Sequence, residues 1–195
     1  MPPRAAVVAN PRGFPDAPSS RVRSRRLDFP LELMLPARDS WQISDGPSWL
    51  VAAHSPSASQ LALRTWRADR LVRRTDCIAQ ARLTRPAIPT VREEAVLERR
   101  PLPAPSGFDT ELVVGVEPSA AGLSGYAIAI GSSVGRCYAA IFTTTVVGSG
   151  AEQEVAARLG VVVDRILSGV RVRSVDERGA GVRRRLVSSP RATGP

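Results

Sequence analysis

A five-residue stretch from Gly131 to Gly135 (GSSVG) fits the pattern G-x-S-x-G, which marks the nucleophile of many serine hydrolases. In those enzymes a strand precedes the serine, a helix follows it, and the catalytic acid and histidine come later in the chain. Here the residues after Gly135 predict a second strand, and His54, the one histidine, lies far upstream of Ser133. We therefore interpret GSSVG as a hairpin turn in which Gly131 and Gly135 supply positive φ angles.

His54 and two cysteines are the other residues that could do chemistry. A lone histidine at the end of a predicted strand, with no motif that places a nucleophile or acid beside it, is typical of a structural residue. One histidine and two widely separated cysteines do not match a zinc site, which takes four ligands in closely spaced pairs. The chain also has no glycine-rich phosphate loop. We predict no catalytic residue, no metal site and no cofactor.

Cys77 and Cys137 are the two candidates for a covalent link. Cys77 lies in a predicted helix, and Cys137 lies at the start of a predicted central strand. A helix packed on that sheet could bring the two Cα atoms within the roughly 5.5–6 Å that a disulfide needs. Two alternatives stay open: a structural disulfide, which would indicate an oxidising compartment, or two unrelated buried thiols.

The net charge of +9 lies in the two ends of the chain. Residues 1–26 contain six arginines and one aspartate, whereas residues 171–195 contain seven arginines and two acidic residues. All 27 basic residues are arginine, which fits the codon bias of a bacterial genome rich in G and C. Because residues 1–26 and 178–195 lack a hydrophobic period, we predict disordered N- and C-terminal tails around a single domain at 27–177.

The middle of the chain predicts an antiparallel sheet. Residues 55–59 separate two strand-like runs and predict a hairpin. The last two runs are apolar on both faces, as central strands of a covered sheet are. The strand-like runs are 27–35, 49–54, 60–66, 110–117, 126–130 and 137–146.

Two helices are expected to cover this sheet. Residues 69–83 have helical spacing, with Asp69 able to cap the start. Ser149 and Glu152 fit a capping box, and Gly169 is a stop signal for the helix that follows. The apolar stripe of this second helix is formed by Val155, Leu159, Val162, Val163, Ile166 and Val170. The predicted fold class is α+β, an antiparallel β-sheet covered by helices in an α/β sandwich.

The order of these elements, together with residues 125–170 (GYAIAIGSSVGRCYAAIFTTTVVGSGAEQEVAARLGVVVDRILSGV), resembles the PsbP-like and DcrB-like α/β sandwich superfamily. In that group a late hairpin leads through a short glycine turn into a final helix ending in Ile/Leu-x-Ser, and this chain has Ile166-Leu167-Ser168 there. The resemblance covers residues 27–170. It implies a noncatalytic binding or accessory role, and bacterial members are often lipoproteins or partner-binding proteins. This chain has no lipobox cysteine near its start, and no functional residue carries over.

These observations predict a noncatalytic binding or accessory protein, with a protein as its partner and an envelope association as one expectation. One alternative is a small serine hydrolase that uses Ser133 with His54. The other is nonspecific nucleic-acid binding through the arginine-rich tails. No apolar run approaches the roughly 20 residues of a membrane span. The chain as given predicts a cytoplasmic protein, whereas a start upstream of Met1 with an export signal would predict the periplasm or envelope.

Overall fold

A computed structural model describes residues 14–85 and 87–173. The two predicted tails therefore lie largely outside the described residues. The strands are β1 (Ser19–Ser24), β2 (Leu31–Pro36), β3 (Gln42–Asp45), β4 (Leu50–His54), β5 (Ser59–Arg67), β6 (Val96–Leu102), β7 (Asp109–Ser119), β8 (Gly122–Ser133), β9 (Arg136–Val146) and β10 (Arg171–Val172). The helices are α1 (Arg74–Thr84) and α2 (Ala151–Val161), and α2 continues through a π-helical segment (Val162–Ile166) and a 3-10 turn (Leu167–Gly169). Further 3-10 turns lie at Arg38–Ser40, Ser55–Ser57 and Glu93–Ala95.

Seven strands form one antiparallel sheet in the order β3-β4-β5-β9-β8-β7-β6. The predicted hairpin is present as β4 and β5, joined by the turn at Ser55–Ser57. Strand β9 lies between β5 and β8, and its alternate side chains belong to two apolar clusters: Tyr138 and Phe142 to one, Ala139 and Ile141 to the other. This explains why the sequence of β9 is apolar without alternation.

A second, three-stranded sheet has the order β1-β2-β10. Strand β1 pairs with β2 from Ser19↔Pro36 to Ser24↔Leu31, so residues 14–26, predicted to belong to a disordered tail, are part of the fold. That part of the prediction is wrong. The strand was not recognised from the sequence because its one apolar residue, Val22, lies among serines and arginines and forms no alternating pattern. The prediction for residues 1–13 and 178–195 lies outside the described residues.

Two apolar clusters lie on opposite faces of the seven-stranded sheet. One face packs against the small sheet and α2, with Leu61, Tyr138 and Phe142 among its residues. We call it the small-sheet face. The other face packs against α1, with Cys77 and Ile128 among its residues, and we call it the α1 face. The protein is thus a three-layered α+β sandwich, and the predicted fold class is confirmed.

The two helices begin later than their sequences indicated. Arg73, not Asp69, precedes α1, and its backbone N–H donates to the Asp76 carboxylate at 2.9 Å. Before α2, no side chain caps the helix, and Gly150 takes the N-cap position at φ 84°. The predicted capping box at Ser149 is wrong because a left-handed glycine, which needs no Cβ, makes the turn into the helix instead.

Candidate anion-binding cleft

The structure joins the two cysteines. Cys77 on α1 and Cys137 on β9 form a disulfide, with their Cα atoms 5.6 Å apart. Both side chains are fully buried in the α1 face, where the helix crosses the centre of the sheet. The sequence left open a disulfide or two unrelated thiols, and the structure contains the disulfide.

Ser133 and His54 are not brought together. His54 pairs with Ser59 across the β4–β5 hairpin, and Ser59 pairs in turn with Thr144 of β9. Ser133, however, pairs with Arg136 at the other end of β9. The eight residue steps from Arg136 to Thr144 span about 27 Å of strand, so the two side chains cannot form a nucleophile–base pair.

His54 instead belongs to a buried polar network that sequence reasoning missed. Its Nδ1 lies 2.6 Å from Ser57 Oγ, and its Nε2 lies 2.9 Å from Ser40 Oγ. Ser57 Oγ donates to Ser59 Oγ, which donates to Thr144 Oγ1, each at 2.8 Å. Burial, assisted by the positive charge of Arg158, lowers the pKa of His54. Because His54 and Ser57 are both buried, a substrate has no approach to this serine and histidine, and we assign the network a structural role.

Arg158 of α2 completes this network. Its Nη1 donates to the Ser57 carbonyl oxygen at 2.7 Å and to Thr144 Oγ1 at 2.8 Å, and its Nη2 pairs with Glu154 one turn earlier on α2. Burial lowers the pKa of Arg158, although the neighbouring Glu154 opposes that shift. This guanidinium is therefore used inside the protein, to join α2 to the β4–β5 turn.

The GSSVG motif is a hairpin turn, as predicted. Strand β8 ends at Ser133, β9 begins at Arg136, and Gly135 in the two-residue connection has φ 63°. Gly131, predicted to share the positive φ, lies within β8 instead, where an added Cβ would approach Thr110 Oγ1 to 2.6 Å. The turn places Arg136 at the end of the sheet, and Arg136 Nη2 donates to Ser133 Oγ at 3.3 Å.

Arg136 lines a cleft of about 590 Å³ between the small sheet and one end of the seven-stranded sheet. We call this cleft, which lies beside the edge strand β10, the arginine cleft. Its lining combines three guanidinium groups with a serine and a glycine that precede β7, and Glu32 is the one acidic residue. The lining residues are Glu32, Ser106, Gly107, Phe108, Arg136, Arg171, Val172 and Arg173.

Glu32 is already shared among several arginines. Its carboxylate lies 2.6 Å from Arg23 Nε, 3.0 Å from Arg21 Nε and 3.9 Å from Arg173 Nη2. The hydrogen bond from Arg23, helped by the charges of these three arginines, holds the pKa of Glu32 below its ordinary value despite desolvation. One carboxylate therefore faces a group of arginines that it cannot neutralise.

Arg136 is held by aromatic stacking rather than by an acid. Its guanidinium carbon lies 5.6 Å from the centre of the Phe29 ring and 5.4 Å from that of Phe108. Arg67, directly opposite Arg136 on β5, stacks on the same Phe29 ring at 5.5 Å. Within residues 14–85 and 87–173, none of Arg67, Arg136 and Arg171 lies in an ion pair with a carboxylate.

Arg67 and Arg136 lie directly opposite each other on β5 and β9, and like charges in this arrangement repel each other and destabilise the sheet. A preorganised group of guanidinium forks with too few acids can bind a carboxylate or a phosphate through charge-assisted hydrogen bonds. Sequence reasoning missed this cleft, although one signal pointed toward it. The positive excess in residues 1–26 and 171–195 supplies Arg21, Arg23, Arg171 and Arg173, and the small sheet brings them together.

Residues 14–85 and 87–173 contain no candidate metal cluster and no candidate membrane helix. Among those residues, no group of three or more histidine, cysteine, aspartate or glutamate side chains is arranged to hold a metal ion. Across the same residues, no helix is both long and apolar enough to cross a membrane.

No protein-family model matches the chain, and no curated protein matches it. Among solved structures, the chain is similar to a crystal structure from Bacteroides thetaiotaomicron VPI-5482, with 11% sequence identity and a TM-score of 0.39. The likeness covers 75% of this chain and 46% of that chain, so this chain spans less than half of that protein's length. Similarity at this level carries no conclusion about function.

Proposed function

We propose that this chain is a noncatalytic binding protein that holds an anionic group of a partner protein in the arginine cleft. The observation that carries the proposal is that Arg136, Arg171 and Arg173 line one cleft whose single carboxylate already contacts other arginines. An anion in the cleft would relieve their mutual repulsion. The partner's group is a carboxylate or phosphate, because the guanidinium fork binds both in a bidentate manner.

The geometry supports binding rather than chemistry. Arg136 is preorganised by the rings of Phe29 and Phe108, so little side-chain freedom is lost when an anion binds. The cleft lining contains no histidine or cysteine, and its carboxylate has a lowered pKa, which does not suit a general base at neutral pH.

Nonspecific nucleic-acid binding is a second candidate, favoured by one observation. Arg21 and Arg23 are exposed on β1, across Glu32 from Arg171, so basic side chains extend from the cleft across the outer face of the small sheet. Phe29 and Phe108 are buried, so they offer no platform for stacking bases. Binding would depend on phosphate contacts alone and would be independent of sequence.

Fluorescence anisotropy with a labelled acidic phosphoserine peptide and a labelled single-stranded oligonucleotide tests both candidates. We expect the peptide to bind, and we expect Arg136→Gln and Arg171→Gln each to weaken binding about tenfold, since each removes a charge-assisted hydrogen bond. Arg92→Gln is the matched control. Arg92 is exposed, does not line the cleft, and pairs with the Glu117 carboxylate at a distance of 2.7 Å.

Equal losses in all three variants would show that overall charge, not the cleft, binds the anion. Tighter binding of the oligonucleotide than of the peptide, with an affinity that falls steeply as salt is added, would favour the nucleic-acid candidate. If neither the peptide nor the oligonucleotide bound, both candidate functions would be contradicted.

A further inference from the structure

A second cavity lies on the opposite face of the large sheet from the small sheet. It is a groove of about 280 Å³ between α1 and strands β6, β7 and β8. Its floor is formed by Val113, Ile128 and Ile130, and Ile78 of α1 and Val91 form its walls. We call it the α1 groove. The groove exists because α1 crosses β8 and β9 and leaves a gap beside it, at the bottom of which Val113, Ile128 and Ile130 are 6%, 3% and 8% exposed.

The rim of the α1 groove carries three arginines and one acid, Glu111. Two of these arginines are compensated: Arg74 pairs with Asp109 at 2.8 Å and Arg99 with Glu93 at 2.7 Å, and both also lie within 4 Å of the Glu111 carboxylate. Arg82 differs, because among the described residues its one hydrogen bond is from Nη2 to the Pro89 carbonyl oxygen at 3.3 Å, and it has no carboxylate partner there. The groove thus has an apolar floor with one uncompensated guanidinium at its edge.

The width of the groove is fixed by covalent structure. The Cys77–Cys137 bond ties α1 to the start of β9, one residue along the helix from Ile78. A preformed apolar cavity with one uncompensated charged group at its mouth is the arrangement that binds a small amphiphile, and the volume is near the lower limit of about 300 Å³ for ligand pockets. A peptide helix is too large for this volume.

We propose that the α1 groove binds a single-chain anionic amphiphile, a medium-chain carboxylate whose hydrocarbon packs on Val113, Ile128 and Ile130 while its head group pairs with Arg82. The apolar chain gains affinity by leaving water, and the carboxylate accepts a charge-assisted hydrogen bond from the guanidinium. This site is independent of the arginine cleft, because the two lie in different layers of the sandwich.

Isothermal titration calorimetry of the full chain with decanoate, below its micelle concentration, tests the proposal. We expect binding of one decanoate per chain, and about tenfold weaker binding of decanamide, which has the same chain length and a neutral head. Equal affinity for the two ligands, or no binding of decanoate, would overturn the proposal.

Two pairs of variants locate the site. Arg82→Gln should weaken decanoate binding about tenfold, whereas Arg171→Gln, in the arginine cleft, should leave it unchanged. Thr75→Trp, on the exposed groove side of α1, should fill the cavity and abolish binding, whereas Ala79→Trp, exposed on the next turn and outside the groove lining, should not. Decanoate binding that survives Thr75→Trp, or that is lost in Arg171→Gln but not in Arg82→Gln, would show that the groove is not the site.

Discussion

The two faces of the seven-stranded sheet are stabilised in different ways. On the small-sheet face, three strands and α2 provide a wide cover, and the apolar cluster there includes Phe142, Leu159 and Ile166. That cover also encloses the His54–Arg158 network, whose polar atoms largely satisfy one another. The α1 face has one eleven-residue helix, of which only Cys77 and Ala81 are buried, and a disulfide.

The difference shows that a broad cover tolerates buried polar groups, whereas a narrow one depends on a covalent bond. Buried polar atoms cost little only when partners from several elements reach them, and the small-sheet face supplies partners from α2, β9 and the β4–β5 turn. A short helix with two buried side chains gains little from packing alone. We therefore expect three changes to lower the stability of the protein by different amounts: loss of the disulfide on the α1 face, loss of Arg158 on the small-sheet face, and an added methyl group on either face.

Removal of the disulfide is expected to have the largest effect. The bond closes a loop of 60 residues, for which the chain-entropy model gives about 4 kcal/mol of stabilisation. Urea unfolding with and without reductant measures this loss. The double variant Cys77→Ala/Cys137→Ala is the control, because reductant should not change its stability. An unchanged midpoint for the reduced wild type would mean that the α1 face is held by packing alone.

Disruption of the buried network on the other face should come next. Arg158→Met leaves Glu154 and the Ser57 carbonyl oxygen without their partner, and we expect a loss of about 3 kcal/mol, the lower end for a broken buried pair, because Glu154 is only partly buried. The double variant Arg158→Met/Glu154→Leu should recover most of that loss. A double variant as unstable as the single one would show that Arg158 contributes through its contacts to the β4–β5 turn instead.

Adding one methyl group to each face compares their packing directly. A Cβ at Gly115 would lie 2.3 Å from Tyr126 Cζ and 2.8 Å from the Ala95 carbonyl oxygen, whereas one at Gly125 would lie 2.5 Å from Val155 Cγ1. Gly115→Ala on the α1 face should cost about 3 kcal/mol and Gly125→Ala about 1–2 kcal/mol, because a backbone atom yields less than a valine side chain.

Thermal unfolding of the two glycine variants measures these costs. Gly160→Ala serves as the control, since nothing lies within 4 Å of its added Cβ and a helical alanine should stabilise by about 0.5–1 kcal/mol. Reversal of the order of Gly115→Ala and Gly125→Ala would mean that the α1 face is the more adaptable of the two.

The smallest effect is expected from pH. Because burial and Arg158 lower the pKa of His54 in the folded protein, its neutral form is the one that the fold favours. The contribution of His54 to the free energy of unfolding is therefore fully present above the unfolded-state pKa of about 6.5, and it is lost as the pH falls below that value. Urea unfolding of the wild type and of His54→Gln between neutral and mildly acidic pH isolates this contribution. If the free energy of unfolding depended on pH in the same way in the wild type and in His54→Gln, His54 would make no such contribution.

Much of the fold follows from the sequence. The β4–β5 hairpin and the apolar central strands were predictable, because long apolar runs restrict how a chain can pack. For Cys77 and Cys137 the sequence showed only that a disulfide was possible, and the structure decides between the bond and two separate thiols. Strand β1 was not, since its pairing with β2 depends on backbone hydrogen bonds rather than on an apolar pattern. Sequence patterns do not record such nonlocal pairing.

The candidate site was harder to predict for the same reason. Arg136 and Arg171 are far apart in the chain, and only the joining of β10 to β2 brings them to one cleft. The charge excess at the two ends was visible, but the surface that it forms was not. The resemblance to PsbP-like and DcrB-like proteins stays a prediction.

The small sheet has a consequence for dissecting this protein. Its strands come from the start, the early part and the end of the described chain, and β2 lies between β1 and β10. A fragment beginning at Leu27 would lose β1 and uncover one edge of β2, while one ending at Val170 would uncover the other. Exposed strand edges favour aggregation. Recombinant fragments should therefore retain both Ser19–Ser24 and Arg171–Val172.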